Sequence, residues 1–197
     1  MTIKVVPAAP PNTDELLQTA VENLAALAPT AKTLGGATAE YGKIGLVEAI
    51  PIYSVEAETF LRKKSLDGLH PVGWRSLVLS EGGPPAFADV SVATSEKPEF
   101  SQLTRGTIVD NLYAAIIFIE DKFGAEGTDV ELSILEIPAA NRGALWLRNA
   151  SRSEFVPYVN VGHSGSYMPK IDPNFLETAL EELRLIMGDG TDDLKLR

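Results

Sequence analysis

The chain has 197 residues, a formal net charge of −10, 45% hydrophobic and 22% charged residues, and no cysteine. These values are typical of one ordinary packed domain, with or without an arm. The absence of cysteine excludes disulfides and cysteine-ligated metals, and the negative charge disfavours nucleic acid and anionic membranes as partners. The N-terminus lacks the apolar core of a signal peptide, and the longest apolar run, residues 112–119, is far shorter than a membrane span. We therefore expect a cytoplasmic protein.

The first predicted element is a helix that follows a proline-rich lead-in. Asn12 with Glu15 three residues later forms a capping-box pattern. The apolar stripe that recurs at helical spacing consists of Leu17, Val21, Leu24 and Ala28. A glycine-rich stretch follows, which indicates a loop or linker. The sequence thus predicts an arm at residues 1–35 and a single domain at residues 36–197. The stripe can dock on its own chain or on a second copy, and we favour the second copy.

Strands and helices alternate in groups through the rest of the chain. In chain order, we predict a strand at 44–55, a short helix at 56–65, strands at 73–80 and 86–94, a helix at 108–123, strands at 130–137, 143–149 and 154–161, and a helix from Asp172 to Gly188 whose buried stripe ends at Met187. Because strands come in adjacent runs, this order predicts an α+β fold. We expect a largely antiparallel sheet of five to six strands, with helices packed on one face.

The helix at 108–123 is apolar around most of its circumference, which predicts a long buried central helix. Trp146 lies in the middle of an apolar strand. We therefore expect Ile116, Ile117 and Trp146 to share one core.

The stretch GHSGS, residues 162–166, is the closest approach to a catalytic motif. A nucleophile elbow needs a glycine at the fifth position, a helix behind the serine and a histidine later in the chain. Here Ser166 stands fifth, prolines interrupt the following segment, and no histidine comes after Ser164. We therefore reject a hydrolase and expect an exposed, non-helical loop over 162–170. An open alternative is an anion-binding loop in which glycine amides act with His163, Ser164 and Lys170.

Other motifs for metals and cofactors are missing from the sequence. The two histidines show no metal-ligand spacing, and no phosphate-binding or dinucleotide-binding glycine motif is present. We predict neither a metal nor a cofactor, and no catalytic residue. Two arginines that accompany tryptophans, in Trp74–Arg75 and Trp146–Arg148, could lie at the rim of the core, or could line a patch for an anionic ligand or an acidic partner.

Four segments carry a resemblance to known proteins. PIYSV, GWRSLVL, VELSILEIPAANRGALWLRN and FVPYV, spread over residues 50–160, resemble a pattern of an uncharacterised bacterial protein family that has no established activity. The resemblance implies a bacterial, cytoplasmic protein and supplies no catalytic residues. In its order of elements, the chain is also similar to small acidic α+β secretion chaperones, which are homodimers.

Together these observations predict a non-catalytic cytoplasmic protein that binds another protein, as a chaperone or adaptor does, and forms a homo-oligomer through its first helix. The alternative is a small-molecule or anion-binding protein, or an enzyme, whose site is assembled from scattered residues. The candidates for that site are Arg75, Arg142, His163, Ser164 and Lys170.

Overall fold

The computed structural model describes residues 3–27, 44–80, 85–92, 97–124, 130–149, 152–159 and 167–188. The helices of these residues are α1 (Thr13–Leu27), α2 (Ala57–Lys63), α3 (Thr107–Gly124) and α4 (Phe175–Met187). The strands are β1 (Ile3–Val5), β2 (Ile44–Leu46), β3 (Ile50–Ser54), β4 (Gly73–Ser80), β5 (Ala86–Val92), β6 (Pro98–Arg105), β7 (Val130–Ile137), β8 (Arg142–Arg148) and β9 (Ser153–Val159).

The strands form one sheet in the order β6-β5-β4-β3-β7-β8-β9, with β1 added to β7 and β2 added to β4. Only the pairs β1–β7 and β3–β7 are parallel among the described strands. The prediction of an α+β fold with a largely antiparallel sheet is therefore confirmed. The predicted number of five to six strands is wrong, because the described residues form nine.

Three local features explain the extra strands. Strand β1 is only three residues long and lies in the lead-in before the prolines. Strand β6 has the mostly polar sequence PEFSQLTR and lies at the edge of the sheet, so it needs no regular apolar alternation. The predicted strand at 44–55 is divided, because β2 pairs Leu46 with Val78 whereas β3 pairs Ile50 with Arg75. Between these two pairs, residues 47–49 lie opposite residues 76 and 77 of β4. The extra residue forms a β-bulge that separates β2 from β3.

Helices cover both faces of the sheet, which corrects the prediction of helices on one face. On β5, Phe87 packs with the residues of α3, whereas its neighbour Ala88 packs against Leu17 of α1. On β7, Ile134 packs with α3 and Leu135 packs with α2 and α4. Because neighbouring side chains of a strand point to opposite faces, α3 lies on one side and the other three helices lie on the other. Strands buried on both faces have nearly continuous apolar sequences, as in SILEI and ALWL.

Helix α3 is the longest of the described helices, but only one side of it is buried. Ile116 lies in the core, whereas Ile117 is 40% exposed and Tyr113 is 39% exposed. The helix covers a single sheet, so its outer side has no second layer to pack against in the described part of the chain. Trp146 belongs to the core on the opposite face, with α4. The prediction that Ile116, Ile117 and Trp146 share one core is therefore wrong.

Helix α1 docks on the sheet of its own chain. Leu17 and Val21 are buried against Val78 and the apolar side of β5. The side chain of Leu24 and the whole of Ala28 lie outside the described residues. Half of the predicted stripe is thus already covered within one chain. Docking of the stripe on a second copy stays a prediction, and it would require two chains to exchange their N-terminal arms.

The segment 167–172 covers the outer edge of β9. The Tyr167 hydroxyl donates a hydrogen bond to the Pro157 carbonyl (2.5 Å), and the Asp172 amide donates one to the Phe155 carbonyl (2.8 Å). These contacts occupy backbone groups that an edge strand otherwise leaves unpaired. Of the predicted loop over 162–170, residues 167–170 are not helical, and residues 162–166 lie outside the described residues.

Helix α4 begins at Phe175, later than predicted. The Asp172 carboxylate accepts a hydrogen bond from the Asn174 amide (3.0 Å) and so stabilises a turn that precedes the helix. The prediction that Asp172 caps the helix is therefore wrong, because the N-cap is Asn174, two residues later.

Candidate functional site

Arg75 lies at the centre of a buried polar network on the α3 face of the sheet. Its Nε and Nη2 donate to the two carboxylate oxygens of Asp89, each at 2.8 Å. Its Nη1 donates to the Tyr158 hydroxyl at 2.8 Å and lies 2.9 Å from Oε1 of Glu136. Gln102 donates to Oδ2 of Asp89 at 2.7 Å. These five residues, which we call the arginine network, join strands β4, β5, β6, β7 and β9.

The sheet brings these distant residues together by two means. Arg75 and Asp89 are direct partners across the β4–β5 ladder, so their side chains share a face. Arg75 and Tyr158 touch although three strands lie between β4 and β9, so the α3 face is concave. A side chain at Gly143 would collide with Val159 and the ring of Tyr158. The glycine of β8 therefore provides the space in which Tyr158 reaches the network.

The network raises the pKa values of Arg75 and Tyr158. Burial opposes the Arg75 cation, but its hydrogen bond to Asp89 and its interactions with Tyr158, Asp89 and Glu136 outweigh burial and raise the pKa of Arg75. Burial raises the pKa of the Tyr158 phenol well above its ordinary value. Tyr158 therefore stays neutral, and its hydroxyl donates to Glu136 at 3.2 Å while it accepts from Arg75.

These contacts leave Arg75 little capacity to bind a ligand. Each of the three guanidinium nitrogens has an acceptor within the chain, the guanidinium stacks 3.8 Å from the centre of the Phe87 ring, and the residue is only 3% exposed. A side chain with this burial and these partners cross-links strands. It does not present a free cation at a surface.

Arg142 belongs to a different place in the fold. Its Nη2 donates to Oε1 of Glu182 on α4 at 2.7 Å, so it lies on the face opposite Arg75. The hydrogen bond to Glu182 raises the pKa of Arg142, and the same bond lowers the pKa of Glu182. Lys170 is exposed in the segment beside β9. His163 and Ser164 lie outside the described residues.

Of the candidates for the alternative site assembled from scattered residues, Arg75 and Arg142 are therefore not brought together. The two arginines are on opposite faces, and both are neutralised by carboxylates of the same chain. The sequence could not reveal these carboxylates, because Asp89, Glu136 and Glu182 look like ordinary surface residues when the strand pairing is unknown.

Arg148, the other arginine beside a tryptophan, packs on aromatic rings. Its guanidinium lies 4.2 Å from the Trp146 ring centre and 5.3 Å from that of Tyr53, and its Nη2 donates to Ser133 at 3.2 Å. Its buried Nε has no hydrogen-bond partner in the described part of the chain. The tryptophan is core and the arginine lies at its rim, which is the first of the two interpretations of this pair.

A cavity of about 480 Å³ lies at the start of α1. Residues 8–15 line it together with Glu48 and Ala49. Its charged side chains are the carboxylates of Asp14, Glu15 and Glu48, which would repel an anion. The cavity therefore gives no support to the anion-binding alternative.

The last turn of α4 exposes three large apolar side chains in succession. Leu185 is 84% exposed, Ile186 is 62% exposed and Met187 is 45% exposed. The prediction that Met187 belongs to the buried stripe of this helix is therefore wrong, and the stripe did not include Leu185 or Ile186. The signal in the sequence was three consecutive apolar residues at a helix end, which cannot all face one core. We call Leu185, Ile186 and Met187 the α4 apolar turn.

Comparison with protein-family models, with curated proteins and with solved structures finds no match. None of the described helices is long and apolar enough to cross a membrane. Within the described ranges, no group of three or more histidine, aspartate or glutamate side chains is arranged to hold a metal ion.

Proposed function

We propose that this protein is a non-catalytic, cytoplasmic protein that binds another protein through the α4 apolar turn. The observation that carries the proposal is the exposure of Leu185, Ile186 and Met187 together on one helical turn. Exposed apolar residues scattered singly are normal on a protein surface, whereas adjacent ones mark interaction sites. A binder of the chaperone or adaptor type needs such a surface and no chemical machinery.

The charged residues support this proposal by their internal contacts. Arg75 and Arg142, which an anion-binding site or an active site would use, are occupied by carboxylates of the same chain. An enzyme would need to break the buried pair of Arg75 and Asp89 in order to use the Arg75 cation, and breaking a buried pair is costly. The α4 apolar turn, in contrast, is ready to bind without any rearrangement of the described residues.

The position of the turn also favours binding to a protein. The N-terminal part of α4 is anchored to the sheet by Phe175, Ala179 and Leu183, which are fully buried. A rigid helix that ends in exposed apolar side chains presents them without much loss of conformational entropy on binding. Large apolar side chains at the centre of an interface supply much of its binding energy when a partner desolvates them.

The test is photo-crosslinking followed by a binding measurement. A photo-crosslinking amino acid at position 185 is compared with the same amino acid at position 110, because Asp110 is exposed on α3, on the opposite face of the sheet. We expect one partner protein to be crosslinked from position 185 only. The purified partner is then titrated against the full chain and against the double variant Leu185→Ser, Ile186→Ser. We expect the Kd to rise by at least about tenfold in the variant.

Two results would overturn the proposal. One is an equal crosslinking pattern from positions 185 and 110. The other is a partner that binds the double variant as tightly as it binds the unchanged chain, while circular dichroism shows that both are folded.

A further inference from the structure

The exposed side of α4 carries acidic residues in line with the α4 apolar turn. Glu177, Glu181 and Leu185 follow one another at intervals of four residues, and all three are exposed. Residues at this spacing lie on the same side of a helix. With a rise of about 1.5 Å per residue, the two carboxylates lie about 12 Å and about 6 Å from Leu185 along the helix axis. The surface is therefore a row of two acids and one large apolar group.

A shallow depression of about 430 Å³ lies at the end of this row. It is lined by Glu181, Arg184, Leu185 and Gly188. Gly188 has no side chain to fill the space beside Leu185, so a single apolar side chain from outside can lie there. Arg184 also lines the depression and lies three residues after Glu181, on the same side of the helix.

The two carboxylates of the row have no ion-pair partner in the described part of the chain, whereas Glu182 beside them is paired with Arg142. An exposed row of unpaired carboxylates attracts cations, and the net charge of −10 reinforces this attraction at longer range. A second copy of this chain would bring another net charge of −10. Residues 189–197 of the chain's own C-terminal segment contain three aspartates against one lysine and one arginine, so that segment is net acidic. Neither of these occupants complements the row.

We propose that the partner binds this surface with a basic amphipathic helix. One large apolar side chain of that helix lies in the depression against Leu185 and Gly188. Lysine or arginine residues four and eight positions away from this anchor reach Glu181 and Glu177. This inference rests on the proposed function and specifies the chemistry of its partner.

The experiment uses two fluorescent helical peptides with identical apolar residues. One carries lysines four and eight positions from the apolar anchor, and the other carries glutamates there. Fluorescence anisotropy with the full chain is expected to show binding at least about tenfold tighter for the lysine peptide at low salt, and a loss of this preference at high salt.

Two charge-reversal variants localise the effect. Glu181→Lys should weaken binding of the lysine peptide by about fivefold. Glu120→Lys is the matched control, because it changes the net charge equally but lies exposed on α3, on the opposite face. We expect this control to change the affinity by less than about twofold. Leu185→Ser should abolish binding of both peptides.

Three results would overturn the inference. They are equal binding of both peptides, equal effects of Glu181→Lys and Glu120→Lys, or a dimer in light scattering that becomes a monomer on Leu185→Ser, which would make a second copy the occupant. If neither peptide binds but crosslinking from position 185 still identifies a partner, the partner chemistry is wrong and the proposed function stands.

Discussion

The arginine network and the α4 apolar turn reverse the usual distribution of side chains. On the α3 face, a guanidinium, a carboxylate and a phenol are buried where hydrocarbon is the rule, and the half-buried Glu136 and the exposed Gln102 contact them. At the end of α4, three apolar side chains lie in water, where polar groups are the rule. The polar residues have their partners inside the chain, and the apolar ones have none among the described residues.

The difference teaches that a charged residue indicates a binding site or a structural contact only when its partners are known. A buried ion pair adds little net stability over a well-packed apolar pair, but removal of one partner leaves the other charge buried and uncompensated. The arginine network is therefore best understood as a device that fixes how distant strands meet. Leu185 and Ile186 of the α4 apolar turn are mostly exposed and contribute little to the fold, so this region is free to serve another purpose.

The largest expected effect is in the arginine network. Arg75→Ala leaves Asp89 buried without its cation, and we expect a loss of about 3–5 kcal/mol in the free energy of unfolding. The double variant Arg75→Met, Asp89→Leu removes both charges and should be less destabilised than the single variant. Urea melts measure both. A loss below about 1 kcal/mol for the single variant would mean that Asp89 is not held in this network.

The second comparison is made within one helix. Ile116→Ala empties a buried position and should cost about 2–5 kcal/mol. Ile117→Ala, on the exposed side of α3, should cost less than about 1 kcal/mol. Matched melts of the two variants test the one-sided burial of α3, and equal losses would contradict it.

Two nearby positions of α4, one buried and one exposed, provide the same contrast near the end of that helix. Leu183 is fully buried and Leu185 is exposed. We expect Leu183→Ala to cost about 2–5 kcal/mol and Leu185→Ala to change stability by no more than about 0.5 kcal/mol. A large loss for Leu185→Ala would show that the α4 apolar turn is covered in solution.

The smallest effect is expected for the half-buried pair of Arg142 and Glu182. The hydrogen bond from Arg142 lowers the pKa of Glu182 below its ordinary value of 4.5. The folded state therefore holds this proton less tightly than the unfolded state. The stabilisation is present above pH 4.5 and is lost as the pH falls through the lowered pKa. Since the pair is partly in water, we expect it to contribute at most about 1 kcal/mol.

Comparison of Glu182→Gln with the unchanged chain at neutral pH and at acid pH tests this pair. The difference in stability between the two proteins should shrink on acidification. A difference that grows as the pH falls would mean that the pKa of Glu182 is raised in the folded state.

Local patterns predicted much of the secondary structure, because the deciding forces are local. Strands β4 and β7 lie where apolar β-rich runs predict them, and α3 lies within a residue of its predicted bounds. Strand β6 escaped prediction because an edge strand with polar side chains has no burial pattern. The placement of helices on both faces depends on which strands pair, which is a property of the whole chain.

The candidate site was harder to predict for the same reason. Arg75 and Tyr158 are 83 residues apart in sequence, and nothing near either residue indicates the other. The pattern beside Trp74 suggests that Arg75 lies at the rim of the core or in a ligand patch, but the residue is buried among partners that only the sheet order reveals. The α4 apolar turn was within reach of local reasoning, since Leu185, Ile186 and Met187 cannot all face inward from one helical turn.

The position of β7 has a consequence for how the chain folds during synthesis. Both β1 and β3 pair in parallel with β7, and Ile3 lies opposite Val130. The middle of the sheet can therefore close only after the ribosome has made the first two thirds of the chain. Pairings over such long sequence separations slow folding, and β1 and one edge of β3 must wait unpaired in the meantime. We therefore expect folding of the nascent chain to depend on molecular chaperones, or on rapid completion of synthesis, more than its small size suggests.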